Sequence, residues 1–185
     1  MSRTKTDLSS FDNQWYRHGA SGFKLILWQI TSGLFFINHF SFSSSFKVWL
    51  LKIYGAKIGN NVVLKQAVKI KYPWLLTIGN NVWVGEEVWI ENLAPVIIED
   101  NCCLSQGSML LCGNHNYKKS TFDLIIEPIH LYEGVWIGAH AVVCPGTNCK
   151  EHSVLTVNSV ASGELESYSI YRGNPAVKTK QREIS

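Results

Sequence analysis

A return of aliphatic side chains at every sixth position, sustained over about a hundred of the 185 residues, most strongly limits the folds open to this chain. The segment Ile58-Gly-Asn-Asn-Val62 recurs 20 residues later as Ile78-Gly-Asn-Asn-Val82, and after 20 more, in altered form, as Ile98-Glu-Asp-Asn-Cys102. The aliphatic series runs through these units and resumes after an interruption: Ile58, Leu64, Ile70, Ile78, Val84, Ile90, Ile98, Leu104, Leu110, then Ile137, Val143, Cys149, Leu155, Ala161. A period of six fits neither an α-helix, with its period of about 3.6, nor a single strand, with its period of about two.

This spacing is expected of a chain wound into triangular coils, in which each short flat side turns one aliphatic side chain inward. Stacked coils bury a continuous core that no single coil could bury alone. The corners would hold Gly59-Asn60-Asn61, Gly79-Asn80-Asn81 and Pro145-Gly146, residue types that accept positive φ or preset a turn. Such corners also suit the hairpins of an all-β sandwich, but a sandwich does not require the six-residue period. We therefore predict an all-β parallel β-helix whose flat outer faces suit association into a closed ring.

The first 54 residues follow a different pattern and are predicted to be an aromatic-rich helical region. No formal charge occurs between Lys24 and Lys47, and the apolar run there is broken by polar residues. The pattern is compatible with helices packed on the main domain or a neighbouring subunit, with a helix lying on a membrane surface, or with a membrane span. A short amphipathic helix is expected just before Gly55, which would end it. The β-helix is predicted over residues 55–171, followed by a basic tail, 172–185.

Charge and cysteine content exclude several classes of protein. The net charge is +3 with scattered basic residues, whereas a nucleic-acid-binding protein concentrates its Lys and Arg residues, so no nucleic-acid partner is predicted. Five cysteines are an odd number in a chain large enough to fold without disulfides. Reduced thiols and a cytoplasmic location are expected.

The interruption of the repeat, residues 112–130, is too long for a corner and is predicted to leave the coil as an excursion loop. Long excursions on a rigid scaffold are common places for function. His115 opens this one, and an imidazole beside an open groove suits a general base, because its ordinary pKa of about 6.5 leaves it largely neutral yet basic. His115 could equally be only a polar loop residue. Cys112, three residues away, raises the alternative of a Cys–His nucleophile pair.

Four further segments add to the repeat: Lys71-Tyr-Pro-Trp74, Trp89-Ile-Glu-Asn-Leu-Ala-Pro95, Ser105-Gln-Gly107 and Gly113-Asn-His-Asn-Tyr117. With the repeat, they resemble the hexapeptide-repeat acyltransferases and, within them, the WcaF-like colanic acid biosynthesis acetyltransferases, over essentially the whole chain. The resemblance implies a left-handed β-helix, a homotrimer, acetyl-CoA as co-substrate and no metal. It also implies direct acetyl transfer to a sugar hydroxyl of an exopolysaccharide or its precursor, with His115 as the general base.

The resemblance also assigns the donor and acceptor contacts. Positions that match the family's acetyl-CoA groove between subunits are Trp136, Gly138, Ala139, Val157, Ser162, Gly163, Lys178 and Lys180. The two lysines would meet the adenosine phosphates, although they could instead belong to a solvated tail. Candidate acceptor contacts are Glu87, Asn92, Tyr117 and Asp123, with glutamates also common as plain surface charges. Relatives acting on simple galactosides often carry Asn where this chain has Gly85, so the acceptor is expected to be held differently.

Other functions on this fold remain alternatives. A γ-type carbonic anhydrase needs three converging imidazoles, and here no two histidines show the required close spacing. A non-enzymatic trimeric scaffold of a polysaccharide assembly complex would not need the loop histidine. An acetyltransferase acting on a small free acceptor is a further alternative. The aromatic N-terminal region favours a lipid-linked saccharide acceptor and peripheral contact with the inner face of the membrane.

Overall fold

Stacked triangular coils form the body of the protein in a computed structural model that describes residues 4–185. Of the strands in the described residues, numbered β1 to β20 along the chain, seventeen form three parallel sheets, one on each side of the triangle. The first sheet contains β1 (Lys57–Ile58), β4 (Leu76–Ile78), β7 (Val96–Ile98), β12 (Ile129–Leu131), β15 (Asn148–Cys149) and β18 (Glu164–Leu165). The second contains β2 (Val63–Leu64), β5 (Trp83–Val84), β8 (Cys103–Leu104), β13 (Trp136–Ile137), β16 (Val154–Leu155) and β19 (Ser169–Arg172). The third contains β3 (Lys69–Ile70), β6 (Trp89–Glu91), β9 (Met109–Leu111), β14 (Val142–Val143) and β17 (Val160–Ala161).

The core of the coils confirms the prediction from the six-residue spacing. Ile58 pairs with Ile78 and Ile78 with Ile98, so each unit stacks on the next with a register of one repeat. Every aliphatic residue of the series is at most 8% exposed, and most are fully buried. The small or β-branched residues four positions later are buried as well: Val62, Val68, Val82, Val88, Ala94, Cys102, Ser108, Ala141, Thr147, Ser153 and Ser159. Both sets face inward, because each flat side of a coil carries one residue of the aliphatic series and one of these smaller residues.

The corners hold the residue types that the sequence placed there. Asn61 and Asn81 have φ of 55°, in the left-handed region that asparagine tolerates better than most residues. Gly79 packs against the next coil so closely that a Cβ there would lie 2.7 Å from the backbone nitrogen of Asp100. The side chain of Asn80 donates to Asp100 from the same corner. The corner at Gly79 therefore requires a residue without a side chain, because the next coil passes so close to it.

Two helices precede the coils: α1 (Gly22–Phe35) and α2 (Ser44–Ile53). Ser21 and Ser43 cap them, each accepting a hydrogen bond from a backbone N–H in the first turn. Helix α2 ends before Gly55, whose φ of 99° suits glycine, as predicted. Within residues 4–185, no helix is both long enough and apolar enough to cross a bilayer.

Both helices pack on the first coil. Trp28 of α1 is 2% exposed, and its indole N–H donates to the carbonyl of Ile70 over 3.1 Å. In α2, Lys47 is buried and its Nζ donates to the carbonyl of Lys65 over 2.8 Å. Burial lowers the pKa of the Lys47 ammonium, because the charged form loses hydration. The helices thus cover the open end of the β-helix.

Two sequence boundaries need correction. The excursion was expected to continue through residue 130. The chain has already rejoined the coil before that residue, in a strand that ends at Leu131, which is fully buried and pairs with Ile98. Residues 129 to 131 form β12, so the excursion is shorter than predicted. The predicted basic tail contains a strand: β20 (Val177–Gln181), whose side chains are exposed, pairs antiparallel with β19 at the end of the second sheet.

Candidate functional site

The excursion is a β-hairpin that leaves the coil at the corner between the third and first sheets. Its strands are β10 (Gly113–His115) and β11 (Leu124–Ile126), which pair antiparallel with His115 opposite Leu124. Gly113 passes so close to Leu93 that a Cβ there would lie 2.6 Å from its side chain. A larger residue there would require the side chain of Leu93 to shift.

Three contacts fix the imidazole of His115 within the hairpin. Its Nδ1 lies 2.9 Å from the carbonyl oxygen of Phe122, and its ring stacks on the Phe122 ring with centroids 4.4 Å apart and planes 9° apart. Phe11, from the segment before α1, lies on the imidazole with a centroid distance of 5.6 Å. A carbonyl oxygen can only accept, so Nδ1 carries the proton and Nε2 keeps a lone pair. These contacts hold the half-buried ring in one orientation.

Phe122 holds this carbonyl in an unusual backbone conformation. Its φ is 51°, in the left-handed region that bulky side chains rarely adopt. Residues held in this way cluster at functional sites, where the surrounding structure enforces them. A sequence search for charged or polar partners of His115 misses Phe122, because its contribution comes from a backbone oxygen and an apolar ring.

The turn of the hairpin contains two of the four predicted acceptor contacts. Tyr117 is 75% exposed, and its backbone N–H donates to the carbonyl of His115. Asp123 accepts hydrogen bonds from Lys119 and Thr121, and these hold the pKa of its carboxyl below the ordinary value. The carboxyl group of Asp123 therefore stays ionised near neutral pH. Both residues lie on the same turn as the Phe122 carbonyl that holds His115.

The other two predicted acceptor contacts do not lie with them. Asn92 is fully buried, and its amide group bonds the backbone N–H and carbonyl of Tyr72. The prediction for Asn92 is therefore wrong: its side chain joins two coils and has no surface to offer a saccharide. Glu87 is exposed with φ of 59° at the corner between the second and third sheets, a different corner from that of the hairpin.

The predicted donor contacts divide into groups along the coils. Gly138, Ala139 and Val157 lie on stacked corners between the second and third sheets, and Asn158 donates its backbone N–H to Ala139. Trp136 lies on the second sheet beside this edge, with its indole N–H bonded to Ser105 over 2.9 Å.

Ser162 and Gly163 lie at the corner between the third and first sheets, on the same edge as the hairpin. In β20, Lys180 is exposed, whereas Lys178 forms an ion pair with Glu166 at 2.6 Å. One chain alone thus does not gather all the predicted donor contacts at one place.

Cys112 is unsuited to nucleophilic chemistry. Its side chain is fully buried, its thiol points to the carbonyl of Ala94 at 3.7 Å, and burial raises its pKa to about 11. The thiolate is the reactive form, so little of it exists near neutral pH. Among the residues that the structure describes, no three His, Cys, Asp or Glu side chains converge to hold a metal ion.

Comparisons with known proteins agree with this architecture. No protein-family model matches the chain. It is 33% identical over 176 residues, 95% of this chain and 97% of the relative, to an Escherichia coli (strain K12) protein assigned as the colanic acid biosynthesis acetyltransferase WcaF. Galactoside O-acetyltransferase of the same organism is 26% identical over 68% of this chain and 64% of its own length.

Solved structures show the same fold at lower identity. A galactoside acetyltransferase in complex with coenzyme A superposes with a TM-score of 0.77 and 22% identity, over 90% of this chain and 86% of its own. The hexapeptide-repeat acetyltransferase VCA0836 of Vibrio cholerae superposes with a TM-score of 0.76 and 18% identity, over 90% of this chain and 96% of its own. These likenesses confirm the left-handed parallel β-helix. From its sequence likeness over nearly its whole length, the chain belongs to the WcaF-like colanic acid biosynthesis acetyltransferases, within the hexapeptide-repeat acetyltransferases.

Proposed function

We propose that this protein is an O-acetyltransferase that moves the acetyl group of acetyl-CoA to a sugar hydroxyl of an exopolysaccharide or its precursor. Family membership supports an acetyl-CoA-dependent reaction, and a solved VCA0836 structure of the same fold contains acetyl-coenzyme A. The name of the E. coli relative, which refers to colanic acid biosynthesis, supports a saccharide acceptor.

The observation that carries the proposal is the way the structure holds the imidazole of His115. Its Nδ1–H is committed to the Phe122 carbonyl, so Nε2 is the basic nitrogen. A base held in one orientation is worth more than a freely rotating one, because the reacting geometry is set before the substrates arrive. Proton transfer by such a base typically contributes about 100-fold to 10,000-fold to the rate.

The reaction follows from this base. Nε2 of His115 accepts the proton of a sugar hydroxyl while the hydroxyl oxygen forms a bond with the thioester carbonyl carbon. The resulting oxyanion collapses, the carbon–sulfur bond breaks, and the proton on Nε2 passes to the departing thiolate. The products are the acetylated sugar and free coenzyme A, with no acyl-enzyme intermediate. Backbone N–H groups near the oxyanion would stabilise it by about 3–4 kcal/mol for each donor.

The donor is proposed to lie in a groove between subunits of a homotrimer. The predicted donor contacts are distributed over two edges of the coil, and a neighbouring copy would bring edges of two chains together. Trp136, Gly138 and Ala139 would meet the pantetheine arm, and Val157, Ser162 and Gly163 would meet it farther along. Lys180 is the better placed of the two lysines for phosphate, because Lys178 already pairs with Glu166.

The acceptor is proposed to contact the turn of the hairpin. Tyr117 offers an exposed ring for stacking on a sugar, and the ionised Asp123 offers carboxylate oxygens to sugar hydroxyls. Glu87 could reach the site only from a neighbouring copy. A cytoplasmic location, at the inner face of the membrane, would give access to acetyl-CoA and to a lipid-linked acceptor.

Acetyl transfer by the purified protein is the direct test. Purified protein is incubated with acetyl-CoA and oligosaccharides of the producing cell's own polysaccharide, and free thiol and acetylated sugar are measured together. The two products should appear in equal amounts. Thiol release without acetylated sugar would contradict the saccharide acceptor.

A non-enzymatic scaffold predicts a different result. Ligand binding to the folded state raises the melting temperature by mass action, so acetyl-CoA at about 100 times its Kd should stabilise the enzyme by about 2.7 kcal/mol. A scaffold without a donor site would melt at the same temperature with and without acetyl-CoA. A shift with coenzyme A but no transfer to any saccharide would favour a small free acceptor.

A further inference from the structure

The outer face of α1 carries an exposed apolar stripe that the mechanism does not use. Five side chains form it, at helical spacing and between 39% and 72% exposed: Phe23, Ile26, Leu27, Ile30 and Leu34. They fall on one side of the helix, while Trp28 and Ser32 on the other side are buried against the coils. The helix thus has two apolar faces, of which the fold covers one.

The part of the sequence that surrounds α1 carries formal charges of one sign only. No Asp or Glu occurs between residues 13 and 85, whereas eight Lys or Arg residues do: Arg17, Lys24, Lys47, Lys52, Lys57, Lys65, Lys69 and Lys71. All except the buried Lys47 and the half-buried Lys24 are exposed. Three carboxylates from later coils come near: Glu91 pairs with Lys71, Glu87 lines a recess with Lys69 and Ile37, and Glu86 lines a recess with Lys65. The N-terminal part of the molecule therefore combines apolar and cationic surface.

We propose that the outer stripe of α1 binds the surface of an anionic phospholipid bilayer. A helix of 14 residues is about 21 Å long, too short to cross the hydrocarbon core but long enough to lie in the interface. Such a helix sinks its apolar face about 5–10 Å into the headgroup boundary while basic residues meet anionic lipids. A second copy of the chain is disfavoured as the occupant, because self-association would bring cationic surface against cationic surface with few carboxylates to pair.

The segment before α1 connects this surface to the proposed base. Between the stripe and the hairpin, Tyr16 donates its hydroxyl to the carbonyl of Leu93 over 2.8 Å, and Phe11 lies on the ring of His115. Farther out, the backbone N–H of Asp7 donates to the carbonyl of Ser120 in the hairpin turn. A bilayer held by α1 would thus lie at a fixed orientation to His115. Resting on the proposed function, this arrangement fits a saccharide carried on a lipid.

Vesicle co-sedimentation of the full chain tests the inference. The protein should pellet with vesicles containing phosphatidylglycerol, less with phosphatidylcholine alone, and less with the phosphatidylglycerol vesicles at high salt. Ile30→Glu should weaken partition into the anionic vesicles by about tenfold or more, because it places a charge in the apolar face. Ile184→Glu is the matched control: it makes the same chemical change at a residue of nearly equal exposure, 57% against 56%, and should shift partition less than about twofold.

A second variant separates binding from folding and from self-association. Leu34→Gln keeps charge and helix propensity nearly constant and should weaken partition with an unchanged melting curve. Equal binding of the Ile30 and Ile184 variants, or no wild-type binding to either vesicle, would overturn the proposal. So would a lower mass of Ile30→Glu than of wild type in light scattering, which would make the stripe a protein interface. The assay contains no acetyl-CoA or saccharide, so its failure leaves the acetyl-transfer proposal unaffected.

Discussion

The coils and the hairpin differ in what holds each residue in place. In the coils, a position such as Ile90 is fully buried by neighbours one repeat before and after it, in a register that the sequence repeats. In the hairpin, two strands of half-exposed residues rest on contacts from distant parts of the chain, including Phe11 and Asp7. The coils supply a rigid scaffold, and the hairpin holds the proposed base, His115, whose position depends on a few contacts.

The largest expected effect separates activity from stability in the hairpin. His115→Ala should lower turnover at least 100-fold, since it removes the proton acceptor, while the fold and acetyl-CoA binding survive. Steady-state turnover and a melting curve with acetyl-CoA would measure both. His152→Asn is the control, because it removes an imidazole from a corner with φ of 55° that Asn tolerates. Normal turnover of His115→Ala would remove His115 from the mechanism.

Core truncation should distinguish the two regions by stability. Ile90→Ala should lower the free energy of unfolding by about 2–5 kcal/mol, because it leaves a cavity between coils that cannot collapse. Ile125→Ala, in the hairpin at 37% exposure, should lower it by less than about 1 kcal/mol. Urea denaturation would measure both. Equal losses would mean that the hairpin is as much a part of the cooperative fold as the coils.

Loss of the ring that stacks on His115 should act on turnover alone. Phe122→Ala keeps the carbonyl that accepts from Nδ1 but removes the stacking, so turnover should fall about tenfold with little change in the KM for acetyl-CoA. Phe122→Tyr keeps an aromatic ring and should restore most of the activity. A rise in KM with unchanged turnover, or no rescue by Tyr, would show that Phe122 does not position the base.

The smallest effect is expected at Cys112. Because burial raises its pKa to about 11, the thiol should react slowly with alkylating reagents near neutral pH and faster as the pH approaches that value. Cys112→Ala should retain turnover within about twofold, at a small loss of stability. Inactivation by alkylation of wild type, absent in the Cys112→Ala variant, would instead support the Cys–His pair.

Errors in the sequence predictions fall where periodicity no longer determines position. Asn92 was a natural candidate for sugar binding, but its amide turns inward to Tyr72, a contact between coils that no local pattern marks. Leu131 belongs to the repeat, yet its place is visible only through pairing with Ile98 across the excursion. The β20 strand likewise depends on pairing with β19, because all five of its residues are exposed and two of them are lysines.

The sequence by itself determined the coiled scaffold, the inward side chains and the place where the chain leaves the coil. A short-range pattern repeated many times outweighs the local preferences of any one residue, so the coiled architecture follows from the period, whereas its left-handedness was implied only by the family resemblance. Only the tertiary structure decided how His115 is held, because Phe122 and Phe11 reach it from separate segments and act through a backbone oxygen and two apolar rings. Such contacts depend on the packing of the folded chain, which no residue type reveals on its own.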